Sequence, residues 1–173
     1  MLFLAQADNN QLKPELVSVN LAAEVQGLFD YFEAWAEERS VSLIREGPVL
    51  RIQGDSLMIR RALTNLLSNA IRYTPEGRAV TVSLAVNSND MVIICVKNPG
   101  LMINSEHLPR LFDRFYRADP SRQRKGDGAG LGLAIVKSII DTHGGTITAK
   151  NEDGQIVFEI KLPRDRDRAT YNS

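Results

Sequence analysis

Two alternating runs, AVTVSLAV (residues 79–86) and MVIICVKN (residues 91–98), flank Asn87-Ser88-Asn89-Asp90, and this pairing restricts the fold more than any other feature of the chain. β-Branched and aliphatic residues at period two on both sides of a short polar loop predict an antiparallel hairpin with one buried face. A second such pair follows, TITAKN (146–151) and QIVFEIKLP (155–163), joined across Glu152-Asp153-Gly154. Shorter strand candidates lie upstream: LVSVN (16–20), then VSLIRE (41–46) and VLRIQ (49–53) on either side of Gly47-Pro48.

A sheet with an apolar face must be covered, and the remaining sequence supplies amphipathic helices to do so. Asn20 caps LAAEVQGLFDYFEAWAEERS (21–40), in which Leu21, Val25, Leu28, Phe32 and Trp35 share a face. Asp55 caps a second helix, where Ile59, Ala62, Leu63, Leu66, Leu67, Ala70 and Ile71 recur at helical spacing until Thr74-Pro75-Glu76-Gly77 stops it. LGLAIVKSIIDTHGG (131–145) is a third, ended by Gly144-Gly145. Strands alternate irregularly with these helices. The predicted fold is therefore a two-layer α/β (α+β) sandwich, a mixed sheet covered on one face by helices.

With 173 residues, 43% of them hydrophobic, the chain has material for one compact domain. Its 21 basic and 21 acidic residues cancel, which excludes a global field for nucleic acid or an anionic membrane. The single cysteine, Cys95, allows no internal disulfide and is expected to be a buried strand residue. No apolar run approaches the ~18 residues of a membrane span, and the start lacks the basic opening of a signal peptide, so a soluble, intracellular piece is expected. MLFLAQADNNQ reads as the end of a helix belonging to something longer, and residues 164–173 as a charged, frayed tail.

Three stretches carry chemistry. TNLLSNAIRY (64–73) places Asn65, Asn69 and Arg72 on the polar side of the second helix, although each Asn costs about 0.7 kcal/mol of helix propensity relative to Ala. Such a stripe is either a solvated face or a ligand site. A carboxamide oxygen is a hard ligand, and Mg²⁺ takes only one or two protein oxygens when phosphates supply the rest. GDGAGLGLAIV sets Gly126, Gly128, Gly130 and Gly132 before or at a helix start, as a flexible loop or as an anion cradle of uncovered backbone N–H groups. It is neither a Walker A loop nor a dinucleotide fingerprint. In KNPGLMI, Pro99 holds Asn98 extended and Gly100 permits close approach. Between the last two stretches, residues 110–125 include Arg110, Arg114, Arg117, Arg122, Arg124 and Lys125 against Asp113 and Asp119, a solvated loop or a phosphate-facing one.

Taken together, NLLSNAIRYTP, NPGLMI, RLFDRFYR and GDGAGLGLAIVK stand in the order and spacing of the N, G1, F and G2 boxes. From about residue 17 to 163 the chain resembles the catalytic ATP-binding domain of bacterial sensor histidine kinases, most of all the copper- and silver-responsive membrane kinases. The resemblance implies the Bergerat ATP-binding fold shared with DNA gyrase, with ATP between the N-box helix and a lid at about residues 99–130. It implies Asn69 as the Mg²⁺ ligand, Arg72 as a phosphate contact and Tyr73 as a wall beside ribose and adenine. Asn65 stands where hydrolytic relatives carry a glutamate that activates water, a role a carboxamide cannot take as a base. Phosphoryl transfer is thus expected, not hydrolysis. The nucleotide would further meet Asn98, Gly100, Met102, Arg117, Lys125, Gly128, Ala129, Gly130, Leu131, Gly132 and Leu133, with Phe112 and Phe115 packing the lid.

The G1 box departs from the family pattern Asp-x-Gly-x-Gly, because Asn98 replaces the adenine-reading aspartate and Met102 the second glycine. A neutral acceptor contributes roughly 0.5–1.5 kcal/mol against about 1.5–3 for a charged one, so weaker ATP binding is expected than in a sibling with Asp. The phosphoacceptor histidine of such kinases precedes this region and is absent. His107 and His143 read as structural, the latter as a positive charge at a helix end. The resemblance therefore implies a catalytic module, residues 13–163, following the end of a dimerisation helix at 1–12. Alone it would be monomeric and unable to phosphorylate itself. Its partners would be its own dimerisation helices, in a homodimer, and a response regulator, not nucleic acid, on the cytoplasmic side of an inner-membrane sensor. A hydrolytic ATPase of the same superfamily and a nucleotide-poor docking module are the rival readings.

Overall fold

The computed structural model describes residues 13–100, 102–113 and 132–165. Strand β1 (Val17–Asn20) leads into helix α1 (Leu21–Glu38), followed by β2 (Ser42–Glu46), β3 (Arg51–Gly54), α2 (Ser56–Tyr73), β4 (Ala79–Val86) and β5 (Met91–Pro99). A single 3₁₀ turn (Leu108–Arg110) precedes α3 (Gly132–Thr142), β6 (Thr146–Glu152) and β7 (Gln155–Pro163).

Both predicted hairpins form. β4 and β5 pair antiparallel from Thr81↔Lys97 to Val86↔Val92, and the Asn87 side chain closes their turn by accepting from the N–H groups of Asn89 and Met91. β6 and β7 meet through Asp153-Gly154, both at positive φ (51° and 77°), the two-residue turn whose twist suits a hairpin. The five-stranded sheet runs β2-β4-β5-β7-β6, with β2 parallel to β4. Parallel neighbours require a crossover, and the segment containing α2 provides it. β1 and β3 stand apart from this sheet and pair with each other as a separate two-stranded antiparallel ribbon.

Alternation then assigns the two sheet faces. Val80, Val82, Leu84, Val92, Ile94, Val96, Phe158, Ile160 and Leu162 are buried beneath the helices. All seven apolar positions expected of the second helix are buried in α2, while α1 adds Ala22, Phe29 and Ala36 to its predicted stripe and keeps Trp35 partly buried. Each fully buried Leu or Ile contributes roughly 1.5–3 kcal/mol, so these stripes fix the helices on the sheet. Cys95 corrects an expectation. Being out of phase with Val92, Ile94 and Val96, it lies half-buried on the uncovered face, in register with Ser83 and Glu159. Partial burial there, with the Glu159 charge nearby, raises its thiol pKa above the ordinary value.

Candidate functional site

Helix α2 runs from a side-chain cap to a site. At its start Asp55 Oδ1 accepts from the N–H groups of Leu57 and Met58 (both 3.1 Å), and Oδ2 from that of Glu15 (2.9 Å). Burial pushes the Asp55 carboxyl up, but these backbone donors outweigh it and hold the pKa below its ordinary value. The Asp55 N–H donates to Nε2 of His143 (3.0 Å), whose Nδ1 faces the Ile139 carbonyl at 2.7 Å. An accepting Nε2 places the ring proton on Nδ1, so His143 is a neutral strut between α3 and α2, not the positive helix end expected from the sequence.

At the other end, the predicted residues converge. Asn65, Asn69, Arg72 and Tyr73 are all half-buried along the last turns of α2. Asn65 Nδ2 donates to the carbonyl of Gly132, the first residue of α3, at 3.3 Å. That bond needs a donor, which a glutamate at this position would lack. Asn69 makes no side-chain hydrogen bond with any described residue, so its carboxamide oxygen fits a hard cation. Among the described residues no three His, Cys, Asp or Glu side chains gather to hold a metal.

β5 ends against the same helix terminus. Asn98 is only 3% exposed, and its Nδ2 donates to the Pro99 carbonyl (3.0 Å), while no described residue donates to its oxygen. Gly100 sits at φ +154°, and a Cβ there would stand 3.2 Å from the Tyr73 carbonyl, which explains a glycine where the strand end meets α2. Met102 lies just beyond, 49% exposed. Gly132 is exposed and Leu133 packs against the core. Arg117, Lys125, Gly128, Ala129, Gly130, Leu131 and Phe115 lie outside the described residues.

Three residues that matter to this geometry were not among the predicted site residues. Arg39, at the α1 C-cap, donates to the carbonyls of Ile71 (Nε, 3.2 Å) and Arg72 (Nη2, 2.7 Å). Thr74, 2% exposed, turns both its N–H and its hydroxyl onto the Ala70 carbonyl. Asn151 on β6 clasps Ile103 by accepting from its N–H (3.2 Å) and donating to its carbonyl, which ties the loop after β5 to the sheet. Phe112 completes that anchorage, its ring edge-on to Phe158 with centroids 6.1 Å apart. Only Thr74 carried a legible hint, as a hydroxyl at a helix stop.

A family model described as histidine kinase-, DNA gyrase B-, and HSP90-like ATPase matches residues 54–166, more than half of the chain. The chain belongs to this family. Among the chain's relatives, sensor histidine kinase CusS of Escherichia coli O157:H7 is 58% identical over 163 residues, covering 94% of this chain and 34% of that protein. Probable sensor kinase SilS of Salmonella typhimurium is 48% identical over 170 residues, covering 95% of this chain and 34% of that protein. The chain thus spans about a third of the length of the curated relatives it matches. The nucleotide-free catalytic domain of histidine kinase ThkA has the same fold, with a TM-score of 0.75 at 27% identity over 87% of this chain and 96% of that one. ThkA also has a structure in complex with the response regulator protein TrrA. The α/β fold and the kinship read from the four boxes are borne out. No helix among the described residues is long and apolar enough to cross a membrane.

Proposed function

We propose that this member of the ATPase family binds Mg-ATP at the C-terminal end of α2 and donates the γ-phosphoryl group to a histidine on separate dimerisation helices of a sensor kinase. The observation that supports it best is the convergence of two sequence-distant segments on this helix: Gly100 against the Tyr73 carbonyl, with Asn98 two residues before it, and Gly132 held by Asn65. Asn98 reads the adenine amino group with its oxygen. Asn69 supplies the one protein oxygen that Mg²⁺ needs, Arg72 steadies phosphate, and Tyr73 walls the ribose side. Arg117 and Lys125 reach the phosphates, and the backbone from Gly128 to Leu133 cradles them, with Met102 beside the base.

Asn69 would hold magnesium together with the phosphate oxygens, and the ion would supply neutralisation of the phosphate charge. The residues present position the triphosphate without activating water, because Asn65 holds the Gly132 carbonyl and has no basic lone pair to offer. An imidazole nitrogen then attacks the γ-phosphorus, the bond to the β–γ bridging oxygen breaks, and ADP leaves with that oxygen's electrons. The similarity to CusS and SilS supports a place in a copper- or silver-responsive two-component system, on the cytoplasmic side of a homodimeric inner-membrane sensor that phosphorylates a response regulator. Calorimetric titration with Mg-ATP, followed by transfer to a supplied acceptor hairpin, tests this. Binding and phosphohistidine are expected. Absence of binding points to a docking module instead, and steady phosphate release without acceptor points to a hydrolase.

A further inference from the structure

We infer that Arg39 is a positioning residue for the nucleotide site, acting through the last turn of α2. The inference rests on the proposed nucleotide reading, because it concerns how that site is held in shape. The last intrahelical hydrogen bond of α2 runs from Thr74 N–H to the Ala70 carbonyl, so the carbonyls of Ile71, Arg72, Tyr73 and Thr74 have no partner within the helix. Arg39 takes two of these, with donors from different arms of its guanidinium on successive carbonyls. The third, that of Tyr73, is the one Gly100 packs upon. A planar fork can serve two carbonyls at once, and its fixed positive charge suits the negative end of the helix. Lysine, a point charge, can meet only part of that demand.

The neighbouring backbone shows that the contact belongs to a built junction. The Ser40 carbonyl accepts from Gly77 N–H (2.8 Å) and Ser42 N–H donates to the Arg78 carbonyl (3.0 Å), so the α1–β2 turn grips the chain just after α2 as well as its final turn. Side-chain direction at Arg72 and Tyr73 follows from backbone dihedrals at residues 71–73, which are the ones Arg39 restrains. Loss of Arg39 would let this turn fray. Arg72 and Tyr73 would then sample directions away from the phosphate and ribose, with no residue that touches nucleotide having been altered.

The test compares three variants of the chain, Arg39→Met, Arg39→Lys and Asp55→Ala, by thermal melting, by titration with the magnesium complex of a non-hydrolysable ATP analogue, and by amide chemical shifts without nucleotide. Asp55→Ala removes a cap at the opposite end of the same helix and reports what loss of stability alone does. Affinity is expected to fall roughly five- to tenfold in Arg39→Met, to recover partly in Arg39→Lys, and to stay within about twofold in Asp55→Ala despite a lowered melting temperature. Amide shifts should change at residues 71–74 and at Gly100 in Arg39→Met only. Affinity in Arg39→Met within twofold of the parent, or an equal loss in Asp55→Ala, would overturn the inference. If the unaltered chain binds no nucleotide, the functional reading fails, and the shifts at residues 71–74 and Gly100 still decide whether Arg39 positions that turn.

Discussion

The two ends of α2 are finished by opposite means. At the start, the helix is closed by the Asp55 side chain, and Glu15 and His143 complete the arrangement. At the end, two carbonyls left without an intrahelical partner are met by Arg39, 32 and 33 residues away, and the Tyr73 carbonyl is overlain by Gly100. The first arrangement rests on a local cap, the Asp55 side chain on the N–H groups of Leu57 and Met58, to hold the fold. The second brings in distant segments to finish the backbone, so that the helix's own polar side chains can serve a ligand. A shared helix can therefore be a structural strut at one end and a site at the other, and substitutions at the two ends should separate.

The largest effect expected at the site end is that of Asn69→Ala. Removing the oxygen proposed for Mg²⁺ should weaken Mg-dependent nucleotide binding on the order of a hundredfold, with little change in melting temperature, since that side chain bonds to no described residue. Calorimetry with and without magnesium measures this, and an unchanged affinity would place the cation elsewhere. Asn98→Asp should raise ATP affinity about fivefold by making the acceptor charged. It should also lower the stability of the nucleotide-free chain by about 1–3 kcal/mol, because a carboxylate buried beside the Pro99 carbonyl loses the bond that Nδ2 makes there. A variant that binds no better while melting normally would contradict both halves.

At the structural end, Asp55→Ala should cost about 1 kcal/mol of stability and leave nucleotide binding nearly unaltered. The charge component has a defined pH dependence. A carboxyl whose native pKa lies below its unfolded value of about 3.9 adds stability that is present above the unfolded pKa and lost as pH falls through the native pKa. The gap in urea midpoint between the parent and Asp55→Asn, whose amide still caps, should therefore close as pH is lowered from 7 towards 3. A gap that does not narrow at all as the pH falls below the unfolded pKa would remove the carboxylate from the account. The smallest effect belongs to the junction beside Arg39: Ser40 sits at φ 56°, so Ser40→Gly should stabilise the chain by about 0.5–1 kcal/mol in the same assay.

Much of this molecule could be read from its residues in order. The hairpins, the seven buried positions of α2 and both helix caps follow from periodicity and local hydrogen-bonding chemistry, which act over a few residues. The candidate site was legible as box motifs, since Asn65, Asn69, Arg72, Asn98 and Gly100 fall in recognisable strings. Its assembly was not. Cys95 was misplaced because an apolar run such as MVIICV does not declare which of its alternating faces a helix will cover. The pairing of β1 with β3, apart from the main sheet, depended on competition between edges that short strands do not reveal. His143 read as a charge at a helix end until the Asp55 N–H, 88 residues earlier, was seen to require a lone pair from it.

Composition and pattern by themselves determined which segments become strands and helices, which faces are apolar, and which polar residues stand out of place on a helix. Tertiary structure alone decided that Asn65 reaches Gly132, that Gly100 closes on Tyr73, and that Arg39 finishes the helix bearing both. The physical reason is range. Propensity, capping and amphipathic period are set by neighbours within a turn or two, whereas an orphan carbonyl is satisfied by whichever donor the packed core delivers to it, from any distance along the chain.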